Sequence, residues 1–183
     1  YSASQLLLKH RIHRVPIMDK DTNTILHIAT HYRILSFVMQ KMEDRPKIFS
    51  CSVESLGIGT YKNVVTVLGD TPLAVVLRLL SEGGISAVPI VDENGYVIDV
   101  YSKSDVTALV KQPTFDFLDK PVGTILAYKK KEHIFTCFKS ENLEQICDRL
   151  VSSRVHRLIC VDHTNRVEGI ISLSDILHFF VNN

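Results

Sequence analysis

The 183-residue chain carries almost no excess of charge of either sign: 21 lysines and arginines face 20 aspartates and glutamates, a formal net charge of +1. So close a balance exerts no long-range pull on nucleic acid or anionic lipid, and any binding of phosphate has to come from a local cluster. No run approaches the ~20 apolar residues that a membrane-spanning helix needs, and no signal peptide is visible. The four cysteines, Cys51, Cys137, Cys147 and Cys160, include no CxxC pair. They read as buried free thiols in a reducing, intracellular compartment, and no metal site is expected. A glycine-rich phosphate loop is missing too, since Gly57-Ile58-Gly59-Thr60 lacks the rest of a Walker or Rossmann pattern. There is no nucleophile elbow to turn Ser86, His156 and an aspartate into a hydrolytic triad, so catalysis is not expected. The chain opens on Tyr-Ser-Ala rather than Met, which reads as a fragment.

Internal repetition is what the sequence does contain. Ile85-Ser86-Ala87-Val88-Pro89-Ile90-Val91-Asp92 aligns with Val155-His156-Arg157-Leu158-Ile159-Cys160-Val161-Asp162 at an offset of 70 residues. The same offset matches Leu73 with Leu143, Leu77 with Cys147, Leu80 with Leu150, and Asp105 with Asp175. A third copy stands first: Ile12-His13-Arg14-Val15-Pro16-Ile17-Met18-Asp19 aligns at 73, and Thr30 to Leu35 at 72. That copy lacks an opening strand.

Each full copy predicts the order β-α-β-β-α. A strand (Val64 to Leu68; Ile134 to Phe138) leads into a helix whose apolar residues fall at i, i+3, i+4 and i+7: Leu73, Val76, Leu77, Leu80 and Leu143, Ile146, Cys147, Leu150. Gly83-Gly84 closes the first of these helices. An apolar strand, a turn at Asp92–Gly95 or Asp162–Asn165, a second strand and a final helix from Ser104-Asp105 or Ser174-Asp175 complete the unit. One such unit is too small to be robust alone, so two copies are expected to pair face to face.

Three groups of residues could carry chemistry. Ser102-Lys103-Ser104-Asp105 and Ser172-Leu173-Ser174-Asp175 stand at helix entries. Their aspartates could accept hydrogen bonds from two vicinal hydroxyls of a ribose, or could cap the helix. Recurrence does not decide between these, because caps recur as well. In the first copy the acidic position is Arg33, which cannot accept a hydrogen bond and should not hold a ribose. His13-Arg14 and His156-Arg157 occupy one slot of the repeat, where guanidinium and imidazole suit phosphate oxygens or solvated surface equally; the middle copy has Ser86-Ala87 there.

The pattern resembles the CBS motif, and the tandem copies look like a Bateman module, an α/β fold of α+β type. Residues 63–112 and 134–183 would be complete motifs, and 1–41 the remainder of a preceding one. Segments 42–62 and 113–133 would each supply a linker and a lead-in helix, around Ser52–Leu56 and Lys120–Leu126. Leu56-Gly57-Ile58-Gly59-Thr60-Tyr61, Val97–Lys103, Arg154–Leu158 and Glu168–Leu177 are similar to regulatory gamma subunits of the AMP-activated (sucrose-non-fermenting) protein kinases. That resemblance implies a non-enzymatic, cytoplasmic or nuclear energy sensor that needs no cofactor. Its ligands would be AMP, ADP and ATP, and its partners a catalytic alpha and a scaffolding beta subunit.

It further implies two ribose seats, at Asp105 and Asp175, with Arg33 marking a site that stays empty. His13, Arg14 and Arg157 would line the phosphate centre of the first. Thr60, Ser86, His156 and Arg157 would approach the second ligand's phosphate, Ser172 and Ser174 its ribose, and Val65 its adenine. Tyr32 and Lys129 depart from the family, which has lysine and arginine there. The rival readings are a CBS module of another enzyme or channel taking a different adenosyl ligand, and a scaffold that binds none. Self-association through apolar surface left by the incomplete first copy is also expected.

Overall fold

The computed structural model describes residues 2–10, 12–41, 46–106, 116–127 and 134–182. In chain order the elements are helix α1 (Ser2–Lys9), strands β1 (Arg14–Met18) and β2 (Ile25–Thr30), helix α2 (His31–Lys41), and a 3₁₀ turn (Lys47–Ser50). The middle copy gives β3 (Val67–Leu68), α3 (Leu73–Glu82), β4 (Ala87–Val91) and β5 (Val97–Ser102). Helix α4 (Val122–Ala127) precedes the last copy: β6 (Thr136–Cys137), α5 (Leu143–Ser153), β7 (Arg157–Val161), β8 (Val167–Ser172) and α6 (Leu173–Asn182).

The strands form three small sheets, ordered β1-β2, β3-β4-β5 and β6-β7-β8. β3 runs parallel to β4 with Val67 opposite Ile90, while β4 and β5 are antiparallel. The repeat reaches down to single turns. Asp19, Asp92 and Asp162 each fold a carboxylate oxygen onto following backbone N–H groups at 2.8 to 2.9 Å. Asn23, Gly95 and Asn165 close those turns at positive φ, a backbone that glycine and asparagine tolerate best.

Two compact units result. The first gathers Tyr1–Thr60, Cys137–Cys160 and Gly169–Asn183, and the second Tyr61–Thr136 and Val161–Glu168. In the first, α1 packs on α6, and α2 on α5 and α6. Leu7, Leu35, Leu143, Ile146, Leu150, Ile171 and Ile176 fill its interior, each with under 5% of its surface exposed; burying one such side chain favours folding by roughly 1.5–3 kcal/mol. In the second, Leu73, Val76, Leu80, Val88, Ile90 and Tyr101 form the core with Phe117, Val122 and Leu126.

Four expectations are corrected. The opening strands pair over two residues, Val67–Leu68 and Thr136–Cys137, rather than five. Ser52–Leu56 is a string of turns, not a helix; its amides leave for another part of the chain, with Val53 donating to the carbonyl of Glu141 and Glu54 to that of Lys139. Helix α6 begins at Leu173, one residue before Ser174. Among the thiols, Cys51 is exposed, while Cys137, Cys147 and Cys160 are buried.

The lead-in segments are exchanged between copies. Ser52 bridges to Asn142, and Cys51 accepts from Leu143 N–H, so the first lead-in closes the start of α5. Pro121 bridges to Pro72 and Lys120 accepts from Leu73 N–H, so the second closes the start of α3. Each lead-in therefore docks on the copy that does not follow it.

Candidate functional site: a histidine–arginine cluster beside a helix-entry carboxylate

Within the first unit, the apolar strands β1 and β7 both start at an arginine, Arg14 and Arg157, each preceded by a histidine. His31 joins them as the first residue of α2, where β2 hands over to the helix. Its ring is buried and lies 5.8 Å from the His13 ring, centroid to centroid. Burial, then His13 and His156, pulls its pKa from 6.5 down to about 4. The pKa of His156, an exposed residue, is also lowered, first by desolvation and then by Arg157, His13 and Arg14. Every neighbouring charge acting on these two rings is positive. A knot of imidazoles and guanidiniums that disfavours its own protonation is relieved by an anion.

The helix-entry carboxylate is tied to this cluster through the backbone. The carbonyl of His156 accepts the N–H of Leu173 at 3.0 Å, the residue between Ser172 and Ser174. Asp175 Oδ2 accepts from Ser172 N–H and from Ser172 Oγ, both at 2.7 Å. This is a cap in which the carboxylate reaches back to the helix entry, and it favours the start of α6. It uses one oxygen; among the described residues no donor meets Oδ1. Capping and ribose binding are therefore compatible at Asp175.

Thr60 arrives by lead-in exchange. Positive φ at Gly57 (66°) and Gly59 (112°) turns the chain so that Thr60 pairs with Ile170, N–H to carbonyl in both directions at 2.9 and 3.0 Å. That sets Thr60 on β8, two residues from Ser172.

The second unit repeats the helix entry. Asp105 Oδ2 accepts from Ser102 N–H at 2.7 Å and from Ser102 Oγ at 2.8 Å. Lys103 N–H donates to the Ser86 carbonyl, the counterpart of the Leu173 to His156 bond. Ser102 Oγ and Ser104 Oγ lie 2.7 Å apart. Val65 is exposed and Ser86 half-buried in this unit. Lys129 lies outside the described residues.

In the first copy Arg33 turns away from its helix entry. Its Nη1 donates to the Ile28 carbonyl at 3.1 Å and meets His27 Nε2 at 2.9 Å, while Thr30 Oγ1 accepts the Arg33 N–H as an ordinary cap. Tyr32 is a tether, its hydroxyl donating to the Val151 carbonyl at 3.1 Å. His31 is the residue that motif reading misses, since it falls in no His-Arg pair. The available signal was its position at a strand-to-helix handover. His27 and His31 also stand four apart, a spacing that suggests metal ligands on one helix face, but His27 is on β2 and faces Arg33. Among the described residues no group of three or more His, Cys, Asp or Glu could hold a metal ion.

A family profile for the CBS domain matches residues 57–112 and 128–182. The chain belongs to the CBS-domain family. It is 49% identical over 193 residues to the 5'-AMP-activated protein kinase subunit gamma of Dictyostelium discoideum, covering 100% of this chain and 33% of that protein. Human subunit gamma-3 is 37% identical over 185 residues, covering 99% and 38%. The chain thus spans about a third of the length of these relatives. Among solved structures, protein MJ1225 from Methanocaldococcus jannaschii superposes with a TM-score of 0.78 at 18% identity, over 98% of this chain and 63% of that one. CBSX2 in complex with AMP gives 0.59 at 22% identity, over 72% and 97%. These likenesses agree on a tandem CBS fold. No described helix is long and apolar enough to cross a membrane.

Proposed function

We propose that this CBS chain is the nucleotide-binding part of a regulatory subunit that senses AMP, ADP and ATP on behalf of a Ser/Thr protein kinase. The observation that carries the reading is the cluster of His13, His31 and His156 with the guanidiniums of Arg14 and Arg157, joined through the backbone to the Asp175 helix entry. On this reading Asp175 takes ribose hydroxyls through Oδ1, with Ser172, Ser174 and Thr60 around it, and the cluster takes phosphate. Asp105 is the second ribose seat; Ser86 and Lys129 contribute to phosphate contact and Val65 to adenine contact. Arg33 leaves the first copy without a seat. The protein is regulatory rather than catalytic, works in the cytoplasm or nucleus, and assembles with alpha and beta subunits. The similarity to gamma subunits, named for that kinase, supports these partners.

AMP, ADP and ATP share adenosine, so discrimination falls to the cluster, and a ligand regulates only by its difference in affinity for two states of the complex. Titration of the wild type, Asp175→Ala and Asp105→Ala with AMP and ATP tests the assignment. Each substitution should remove one site and weaken that ligand at least tenfold. Wild-type binding in both variants, or none in any, would overturn it. S-adenosylmethionine binding in preference to AMP would favour the adenosyl-ligand reading, a ligand carried by a solved CBS domain pair of similar fold.

A further inference from the structure

The strand-to-helix handover of the first copy differs from its two counterparts. β1 and β2 pair with Arg14 opposite Thr30, so His13 and His31, the next residues outward, stand across from each other. Their ring centroids lie 5.8 Å apart. His13 is exposed, whereas His31 keeps only 7% of its surface in contact with solvent. The same step of the repeat carries Lys103 in the middle copy and Leu173 in the last, so an imidazole here belongs to the first copy alone. The elements packed against α2 bring Lys9 on α1, His27 on β2, Glu144, Asp148 and Arg149 on α5, and Asp175 and His178 on α6. None of these acts on the His31 ring, and the charges that do are those of His13 and His156. A buried imidazole among like charges, with no carboxylate to offset them, stays neutral. The free ring is held at about 4, first by burial and then by these two neighbours.

We propose that His13 and His31 form a proton-linked anion seat: an oxyanion held at His13 draws a proton from solvent onto His31, so such anions bind more tightly as the medium turns acid. The anion meets the exposed ring and need not touch the buried one. Its charge acts across the short gap between the rings, where screening is weak, and favours the protonated form of the inner imidazole. Arg14, next to His13 in the chain, adds a fixed positive charge that serves to hold the ion at any pH. The bound chain then holds more protons than the free chain from about pH 4 up to the raised midpoint. Within that window affinity falls as the pH rises, by up to about tenfold per pH unit for one proton taken up. The proposal rests on the reading of the cluster as an oxyanion site, and it adds to that site a response to pH.

Inorganic sulfate is the probe, because it stays divalent across the imidazole range and takes up no proton itself, unlike a phosphate monoester. The His31 ring is followed by NMR in the full chain carrying carbon-13 histidine, in sodium sulfate and in sodium chloride of equal ionic strength. At pH 5 the ring should be at least about half protonated in sulfate, against about a tenth in chloride. Sulfate affinity should rise about twofold or more between pH 6.5 and 5. Equal protonation in the two salts overturns the proposal. His13→Asn, at an exposed position, should abolish the difference, and a difference that persists there overturns it as well. Loss of the signal in His31→Gln assigns it. If that variant does not fold, calorimetry of the wild type counts the protons taken up per sulfate at pH 5, about 0.4 expected and none if the seat is not proton-linked. Titration with AMP at pH 8 keeps two failures apart. AMP binding without the sulfate effect leaves the nucleotide reading intact, whereas the sulfate effect without AMP binding sinks that reading and upholds the seat.

Discussion

His31 shows how one buried side chain sets a pH dependence for its whole unit. It is neutral in the folded chain down to about pH 4, whereas the unfolded chain takes up that proton near 6.5. Between these values the unfolded state binds more protons, so stability falls as the pH drops from about 6.5 to about 4 and is flat on either side. The loss from this ring is on the order of 3 kcal/mol, and the shift at His156 has the same sign. Asp19 and Asp162, lowered chiefly by backbone N–H groups, lose their contribution only below the ordinary carboxylate range, outside that window. Urea unfolding of the wild type should show the decline between pH 6.5 and 4.5, and His31→Gln should flatten it. A wild-type profile with no slope there would refute the account. No His-Arg motif marks His31; its importance comes from what closes over it.

Among the elements, the junction of β3 with α4 in the second unit is a close backbone approach. Gly123 donates its N–H to the Gly69 carbonyl at 2.9 Å, and a Cβ on Gly123 would stand 3.0 Å from that same oxygen. Alanine is the better helix former by about 1 kcal/mol, but the Gly69 carbonyl follows directly on the paired residues of β3 and has little freedom to retreat. Gly123→Ala should therefore lower stability by about 1 kcal/mol net, read as a reduced denaturation midpoint; an unchanged or raised midpoint would mean that the junction yields.

This element level is also where sequence and structure part company. The apolar stripes of α3 and α5 were legible because periodicity reports burial directly. The lengths of β3 and β6 were not, since alternation says nothing about which amides find partners. Ser52–Leu56 has the composition of a short helix, yet it is too short to pay for nucleation alone, and the carbonyls of Glu141 and Lys139 take its amides. Long-range hydrogen bonds of that kind leave no local mark. The C-terminus of α5 makes the same point: Arg154 adopts the left-handed turn (φ 54°) that Gly84 adopts in the middle copy (φ 61°). Fold dictated the conformation at both places, and only one of them advertised it by residue type.

Across the whole molecule, repetition made the architecture readable, and a difference between copies is what suggested the proposed chemistry. A carboxylate at Asp105 and Asp175 against a guanidinium at Arg33 is the difference on which the proposed ribose seats rest. Lead-in exchange could not be inferred, because an offset aligns copies without saying which copy a connecting segment will serve. The bond from Leu173 N–H to the His156 carbonyl carries a consequence for energetics. It makes the two ends of the candidate site one mechanical piece, so filling either end restrains the other. Adenosine and inorganic pyrophosphate, offered together as separate molecules, should then bind with mutual enhancement. By linkage the factor by which each sharpens the other must be identical. Calorimetric titration of each in the presence of the other measures both factors, and strictly independent binding would show the two ends to be uncoupled. A single backbone amide would in that way let the identity of the sugar be felt by the groups that count phosphates.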